Sequence, residues 1–323
     1  MSLLLTGATG FLGRNVLLSA LREGLEVFAP VRDSDKLSQQ LRFEKQDAQG
    51  VRVLPALPQQ WPKISPKYAI LGAGVLFERA RSDYFCTNVD WTLATLRALP
   101  EHCPTVVISS QSAGGPTPPG KASRTEEDRD APITWYGESK LAMEVSIRRE
   151  FPNRPITILR PPMILGPRDT AMLPLFRMAR GRVRIKPGLH SKTYSFVAVE
   201  DLVPAIFLTL EQESFARSLY VSSVQKVTDW QLIASAATAC NAKGMTLPVP
   251  QALVGIFARA MDASPTLRAQ APSLTRDRIR EIWPSRWVVD GSKFEQLTGW
   301  RAKTDFSDAL RAAHSYYVRE GKL

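Results

Sequence analysis

Near the start of the chain the apolar run Leu3-Leu4-Leu5 is followed at once by Thr6-Gly7-Ala8-Thr9-Gly10-Phe11-Leu12-Gly13, with glycines every third residue. A short, wholly apolar run suits a strand buried on both faces, and Phe11 to Leu21 continues at helical spacing through Leu12, Val16, Leu17 and Leu21. The glycines therefore fall on a strand-to-helix turn. In such a turn Gly7 permits the tight reversal, Gly10 lets the backbone approach a pyrophosphate, and Gly13 lets the helix pack closely on the strand. The phosphates then meet free N–H groups at the helix start. Gly7, Thr9, Gly10, Phe11, Leu12 and Gly13 are the residues expected to form this dinucleotide cradle.

Further apolar runs recur with helical segments between them: Val27–Val31, Val51–Leu54, Ala69–Leu71, Val106–Ile108 and Ile156–Leu159. This rhythm predicts an α/β fold built on a doubly wound parallel sheet. Gly114 to Gly120 is rich in Gly and Pro and reads as an irregular loop following a strand, where ligand-contacting loops tend to lie. Beyond Arg160 the pairs Pro161-Pro162, Gly166-Pro167 and Pro187-Gly188 break the pattern. The organisation expected is a dinucleotide-binding domain over 1–162 and a smaller, mainly substrate-binding lobe over 163–323, with 193–220 returning to the first domain.

The chain of 323 residues, 44% hydrophobic, is long enough for a large core. Its 42 Lys and Arg against 31 Asp and Glu leave a charge of +11, which suits nucleic acid, an anionic membrane surface or a phosphorylated ligand. The one local concentration is Arg177, Arg180, Arg182, Arg184, Lys186 and Lys192, and no aromatic platform of the kind single-strand binders use is interleaved with it. It reads as a solvated basic face, so no nucleic acid partner is expected; the functional alternative is a landing surface for an acidic carrier or phosphate-bearing substrate. Cys86, Cys103 and Cys240 lie in no metal-ligand or disulfide spacing, so no metal site is expected. A reducing, cytoplasmic setting follows, consistent with a first strand too close to Met1 to leave room for a secretory signal. No apolar stretch reaches spanning length, and Ala252–Met261 reads as core or a dimer face.

Tyr136 and Lys140 stand at i, i+4, which places phenol and ammonium on one helix face. A tyrosine of pKa about 10 is a poor base at neutral pH, and a nearby cation favours its phenolate, so the pair is suited to passing a proton to or from a hydroxyl. Upstream, Val106-Val107-Ile108 ends in Ser109-Ser110, at the strand end where ligands sit in such sheets. Ser110 is the choice for the hydroxyl that polarises a substrate oxygen, with Ser109 and Ser112 as alternatives.

Taken in order, Thr6 to Gly13, Ser109-Ser110, Tyr136 to Lys140, Leu159-Arg160-Pro161 with Gly166-Pro167, Val199-Glu200-Asp201 and Leu297-Thr298-Gly299-Trp300 resemble the extended short-chain dehydrogenase/reductase family, which is epimerase/dehydratase-like. The resemblance implies a Rossmann domain with a smaller C-terminal substrate lobe. It also implies that Ser110 polarises the substrate oxygen, Tyr136 is the acid/base, and Lys140 lowers the tyrosine pKa and holds the nicotinamide ribose. Asn88 matches the family's asparagine ahead of a helix and by that resemblance joins the catalytic set; its bland alternative is an N-cap. Gly72, Ala73 and Gly74 keep the small residues that permit backbone approach, with Leu71 where many relatives have histidine. Pro161 completes the expected cofactor contacts, and the third strand end lacks the aspartate that often contacts adenine.

The second strand ends in Arg32-Asp33-Ser34-Asp35-Lys36. A carboxylate there binds a ribose 2′-OH, whereas an arginine pairs with a 2′-phosphate. Arg32 with Ser34 and Lys36 resembles the NADP-using reductases, so NADP(H) is expected, with Asp33 keeping NAD(H) open. Where nucleotide-sugar enzymes of the family carry a diphosphate-gripping arginine, this chain has Tyr194, with Lys192 or Arg184 as stand-ins. Gln111-Ser112 replaces the Asp-Glu pair of 4,6-dehydratases and cannot do the same acid–base work. Resemblance in Ser109 to Pro116 and in Leu274 to Trp300 leans toward the dihydroflavonol-reductase and 3β-hydroxysteroid-dehydrogenase branch. The leading expectation is an NADP(H)-dependent oxidoreductase interconverting a carbonyl and a secondary alcohol on a small hydrophobic substrate. The alternatives are a nucleotide-sugar epimerase with retained NAD and a non-catalytic cofactor sensor. Homodimerisation through the Tyr136 helix, by way of Leu141, Met143 and Val145, is an open expectation, since those residues would equally suit the sheet.

Overall fold

The computed structural model describes residues 1–78, 80–212, 218–256, 277 and 280–323. Its strands are β1 (Ser2–Thr6), β2 (Glu26–Pro30), β3 (Val51–Leu54), β4 (Tyr68–Leu71), β5 (Thr105–Ile108), β6 (Ile156–Arg160), β7 (Met163–Leu165), β8 (Val183–Pro187), β9 (Thr193–Ala198), β10 (Ser218–Tyr220), β11 (Lys226–Thr228), β12 (Met245–Val249) and β13 (Arg286–Trp287). The helices that position the site are α1 (Phe11–Arg22), α2 (Ser34–Phe43), α3 (Trp91–Ala98), α4 (Trp135–Glu150), α5 (Leu173–Ala179), α6 (Val199–Glu211), α7 (Asp229–Ala239) and α8 (Phe306–Arg319).

Seven strands form one parallel sheet in the order β10-β6-β5-β4-β1-β2-β3, and all six apolar runs of the sequence fall in it. The chain leaves β1 toward β2 on one side and re-enters at β4 on the other, so a crevice opens at the β1/β4 reversal. Side chains alternate across the sheet. Leu3 and Leu5 of β1 pack under α1 and α6 with Val16, Leu17 and Ile206, while Leu4 faces Leu93 and Met143 of α3 and α4. Each such buried Leu stabilises the fold by about 1.5–3 kcal/mol. On α4, Met143 thus faces the sheet, whereas Val145 is exposed.

A second, smaller group packs β7 and β9 against α5, α7 and α8 around Phe176, Phe196 and Phe306. Here the structure corrects one expectation. The segment 193–220 does not return whole to the main sheet: β9 pairs with β7, β11 and β13, and only α6 and β10 rejoin the first group. The reason is that β9 must present Phe196 and Ala198 to the α5/α7/α8 core, while Val197 packs with the α6 side of the main sheet.

The basic cluster is a second correction. Arg177, Arg180 and Arg182 are exposed, but Arg184, Lys186 and Lys192 are buried. Arg184 donates to the carbonyls of Ala179 (3.0 Å), Ala242 (2.8 Å) and Gly244 (3.3 Å). Lys186 donates to those of Gly188 and His190 and pairs with Asp229 at 3.0 Å. Backbone dipoles satisfy charges that composition alone assigns to solvent. The described part of Ala252–Met261, residues 252–256, is not core, since Leu253 and Ile256 are exposed; the remainder of that segment lies outside the described residues, as does Leu274. Among the described residues no helix is long and apolar enough to cross a membrane.

Candidate active site

The cradle is built by close contact. Gly7 has φ +76°, and a Cβ there would stand 2.8 Å from the backbone of Gly72 and Ala73, so the turns after β1 and β4 touch. Thr6 Oγ1 accepts from Ala73 N–H at 3.1 Å and ties them together. A Cβ on Gly13 would lie 2.0 Å from Gly7 O, which is the helix-to-strand packing the glycine spacing predicts. Gly10 caps α1 without a side-chain hydrogen bond and is exposed, leaving the helix N–H groups open to a phosphate. These features fit a dinucleotide pyrophosphate. At the end of β2, Arg32, Ser34 and Lys36 are exposed, and Asp33 is committed as N-cap of α2, accepting from Lys36 N–H at 2.9 Å.

Across the crevice, Thr134 caps α4 by accepting from Gly137 N–H at 3.2 Å, and this fixes the first turn, which carries Tyr136. Tyr136 is half-buried, with its ring 6.4 Å from that of Tyr84. Lys140, one turn on, is buried and donates from Nζ to Ile108 O at 3.0 Å. Burial pushes its ammonium down to about 8, against the opposing charge of Glu144. A Cβ on Gly74 would stand 3.1 Å from Lys140 Nζ, so the loop after β4, with Gly72, Ala73 and Gly74, lies directly over the lysine.

The three serines part company. Ser109 is buried and donates to Glu144 Oε1 at 2.5 Å. Ser112 donates to Glu281 Oε1 at 3.2 Å. Ser110 accepts from Ser112 N–H at 3.1 Å and donates to no residue among those described, so its hydroxyl proton is available. It caps the single helical turn Gln111–Gly114, whose Gln111 N–H is held by Pro161 O at 3.0 Å. Gly115, with φ +90°, then leads into the Gly- and Pro-rich stretch.

Asn88 is not an N-cap. It sits within a π-type turn, Cys86–Asp90, fully buried, accepting from Val75 N–H at 2.9 Å and donating to Ser139 Oγ at 2.9 Å. Ser139 in turn donates to Tyr136 O at 2.8 Å. Its amide thus links the loop over Lys140 to the Tyr136 turn.

Further residues that the spacing motifs did not single out complete the surroundings. Gly137 lies against the serine turn, where a Cβ would meet Ser112 O at 2.4 Å. Ser139 is the link just described. Glu144, fully buried one turn beyond Lys140, accepts from Ser109, Ser218, Arg148 and two nitrogens of Arg160. Arg160 also forks onto Asp130 at 2.7 and 2.9 Å; burial opposes its charge, but these carboxylates hold its pKa above the ordinary value. Glu281 also accepts from Thr134 Oγ1 at 3.0 Å, and Asp277 accepts from Trp135 N–H at 3.0 Å, so the C-terminal part of the chain clasps the start of α4. The i+4 spacing from Lys140 could have pointed to Glu144; nothing local points to Glu281.

Neither stand-in for a diphosphate arginine is free for that work. Arg184 is committed to carbonyls, and Lys192 Nζ donates to Pro187 O at 2.7 Å. Tyr194 is paired between Val227 and Trp287, with burial and the Asp229 charge raising its phenol pKa.

A nucleotide cradle facing a Tyr/Lys helix and a serine turn across the reversal of a doubly wound sheet defines an NAD(P)-dependent oxidoreductase of the extended short-chain type. Residues 3–220 match the NAD dependent epimerase/dehydratase family, and the chain belongs to that family. The chain is 24% identical to a ceramide reductase of Caulobacter vibrioides, over 94% of this chain and 93% of that protein. It is 25% identical to the ketoreductase azaE of Aspergillus niger over 51% of this chain, a match that spans only 57% of the ketoreductase. A UDP-glucuronic acid 4-epimerase of Bacillus cereus, solved with NAD, superposes with a TM-score of 0.76 at 17% identity, over 99% of this chain and 100% of that one. That last likeness concerns the fold.

Proposed function

We propose that the protein is an NADP(H)-dependent oxidoreductase that interconverts a carbonyl and a secondary alcohol on a hydrophobic small molecule. The observation that carries this reading is the division of labour among the serines: Ser110 alone keeps a hydroxyl proton to donate, at the strand end facing the Tyr136–Lys140 helix. Ser110 hydrogen-bonds the substrate oxygen, and Tyr136 gives that oxygen its proton in reduction or removes it in oxidation. Lys140, held by Ile108 O, favours the phenolate through its charge and would hold a nicotinamide ribose when the cofactor is bound. The bound nicotinamide supplies or accepts the hydride. Asn88 keeps the loop over Lys140 and the Tyr136 turn in register, and Gly7, Gly10 and Gly13 hold the pyrophosphate. Arg32, with Ser34 and Lys36, faces the 2′-phosphate, because Asp33 is occupied as a cap and does not present a carboxylate to a ribose 2′-OH.

A hydrophobic substrate is supported by the commitment of Arg184 and Lys192 to backbone carbonyls, and by the reductase names of the two relatives. A second reading, a nucleotide-sugar epimerase with retained NAD, is favoured by the fold likeness to the UDP-glucuronic acid 4-epimerase. Incubation with NADPH or NADH against a panel of hydrophobic ketones and UDP-sugars separates the two. NADPH oxidation with a ketone is expected; sugar inversion with no net redox overturns the reading in favour of the epimerase. NADH bound more tightly than NADPH removes Arg32 as the selector.

A further inference from the structure

Strand β8 is built inside out. In Val183–Pro187 the charged residues Arg184 and Lys186 point inward to carbonyls, while Val183 and Ile185 point to solvent, 51% and 42% exposed. An ordinary half-buried strand does the reverse, because exposed apolar surface is unfavourable in water. The partner strand extends the face. In the parallel register Met245 lies beside Val183 and Leu247 beside Ile185, and both are exposed. Gly188 N–H donates to Val249 O at 2.8 Å, bringing exposed Leu189 next to the helical residues 251–256, from which Leu253 and Ile256 also project into solvent. The result is a continuous apolar surface rather than scattered side chains, and such surfaces mark contact sites.

Its surroundings have one sign of charge. Arg182 and Lys243 are exposed at the starts of β8 and β12, where Met245 N–H donates to Arg182 O at 2.9 Å, and among the described residues neither makes an ion pair. There is no Asp or Glu anywhere in 170–199 or 230–256. We propose that this face of β8 and β12 docks on an anionic lipid bilayer, with Val183, Ile185, Met245 and Leu247 entering the headgroup–acyl boundary and Arg182 and Lys243 meeting lipid phosphates. An apolar centre with a cationic rim is what an interfacial surface needs, the centre for burial and the rim for attraction to anionic lipid. A second copy of the chain fits poorly. Two-fold pairing would set this cationic rim against itself on a protein of net charge +11.

Flotation of the full chain with vesicles tests this and needs no turnover, so its outcome is independent of the proposed carbonyl chemistry. With phosphatidylcholine vesicles carrying a quarter phosphatidylglycerol, the protein is expected to float at low salt, and not with phosphatidylcholine alone. Ile185→Ser with Leu247→Ser should abolish flotation. Arg182→Ala with Lys243→Ala should weaken it about fivefold per cation. All four side chains face solvent, so unchanged circular dichroism and melting temperature are expected and confirm folding. Three results overturn the proposal. They are no flotation of the native protein, flotation that survives loss of Ile185 and Leu247 and so reflects charge alone, and a dimer by light scattering that those two substitutions dissociate.

Discussion

Arg160 and Arg184 are buried to nearly the same degree, 4% and 5% exposed, yet they are neutralised in different currencies of charge. Arg160, at the end of β6, forks onto the carboxylates of Asp130 and Glu144. Arg184, in β8, is held by carbonyl dipoles of Ala179, Ala242 and Gly244. A carboxylate carries a full charge whose field extends past its immediate partner, and Glu144 raises the pKa of Lys140 one turn away. Carbonyl dipoles act only at contact range and do not titrate. The first arrangement therefore couples a buried arginine to the candidate chemistry. The second hides a cation away from the candidate chemistry and frees the opposite face of its strand to be apolar.

The largest expected effect tests the coupled region at its centre. Lys140→Met should lower turnover about a thousandfold, in the range found when a group supporting acid–base transfer is removed. It should also stabilise the fold at pH 7 by roughly 1–3 kcal/mol, because the folded-state pKa of about 8 lies below the unfolded value of 10.5. Between those values the unfolded chain binds the extra proton, so native stability climbs with pH across that window, and the variant should lack the slope. Urea titrations at several pH values measure both.

Glu144→Gln should destabilise by about 3–5 kcal/mol, since it leaves buried Arg160 short of a counter-charge. It should also move the alkaline limb of the pH–rate profile to lower pH, because Lys140 loses the charge that favours its ammonium. Arg184→Met is the matched substitution in the other region. It should cost about 1–3 kcal/mol for the carbonyls left without a donor, and leave the pH–rate profile where it was. Equal shifts of the profile in both variants would erase the distinction between the two regions. The smallest effect is Ser109→Ala, about 1 kcal/mol in a denaturant melt with turnover retained, because its hydroxyl serves Glu144. Loss of activity there would return Ser109 to the list of substrate-facing hydroxyls.

The same contrast explains what the sequence disclosed. The β1 turn was legible because its requirements are local: a positive φ at Gly7 and hard contact at Gly13 admit only glycine, whatever the rest of the chain does. The six parallel strands were legible because strands buried on both faces are apolar throughout. Strand β8 was not, because alternating Val-Arg-Ile-Lys reads as charge outward, and its reversal depends on carbonyls from Ala179 to Gly244 that no side-chain pattern reveals. That β9 would pair with β7, β11 and β13 was not legible, because its apolar residues suit either core. Of the candidate site, Tyr136, Lys140 and Ser110 follow from spacing, whereas Glu281 meets Ser112 across 169 positions and leaves no local trace.

The glycine at 137 sets a limit of a different kind. With Ser112 O 2.4 Å from where a Cβ would stand, the Tyr136 helix and the serine turn rest against one another at a hard stop. Repulsion rises far more steeply with approach than charge attraction falls with distance. The first turn of α4 therefore cannot move nearer the serine turn than its glycine hydrogen allows, and salt or temperature can loosen the tethers around it without letting the two backbones close further.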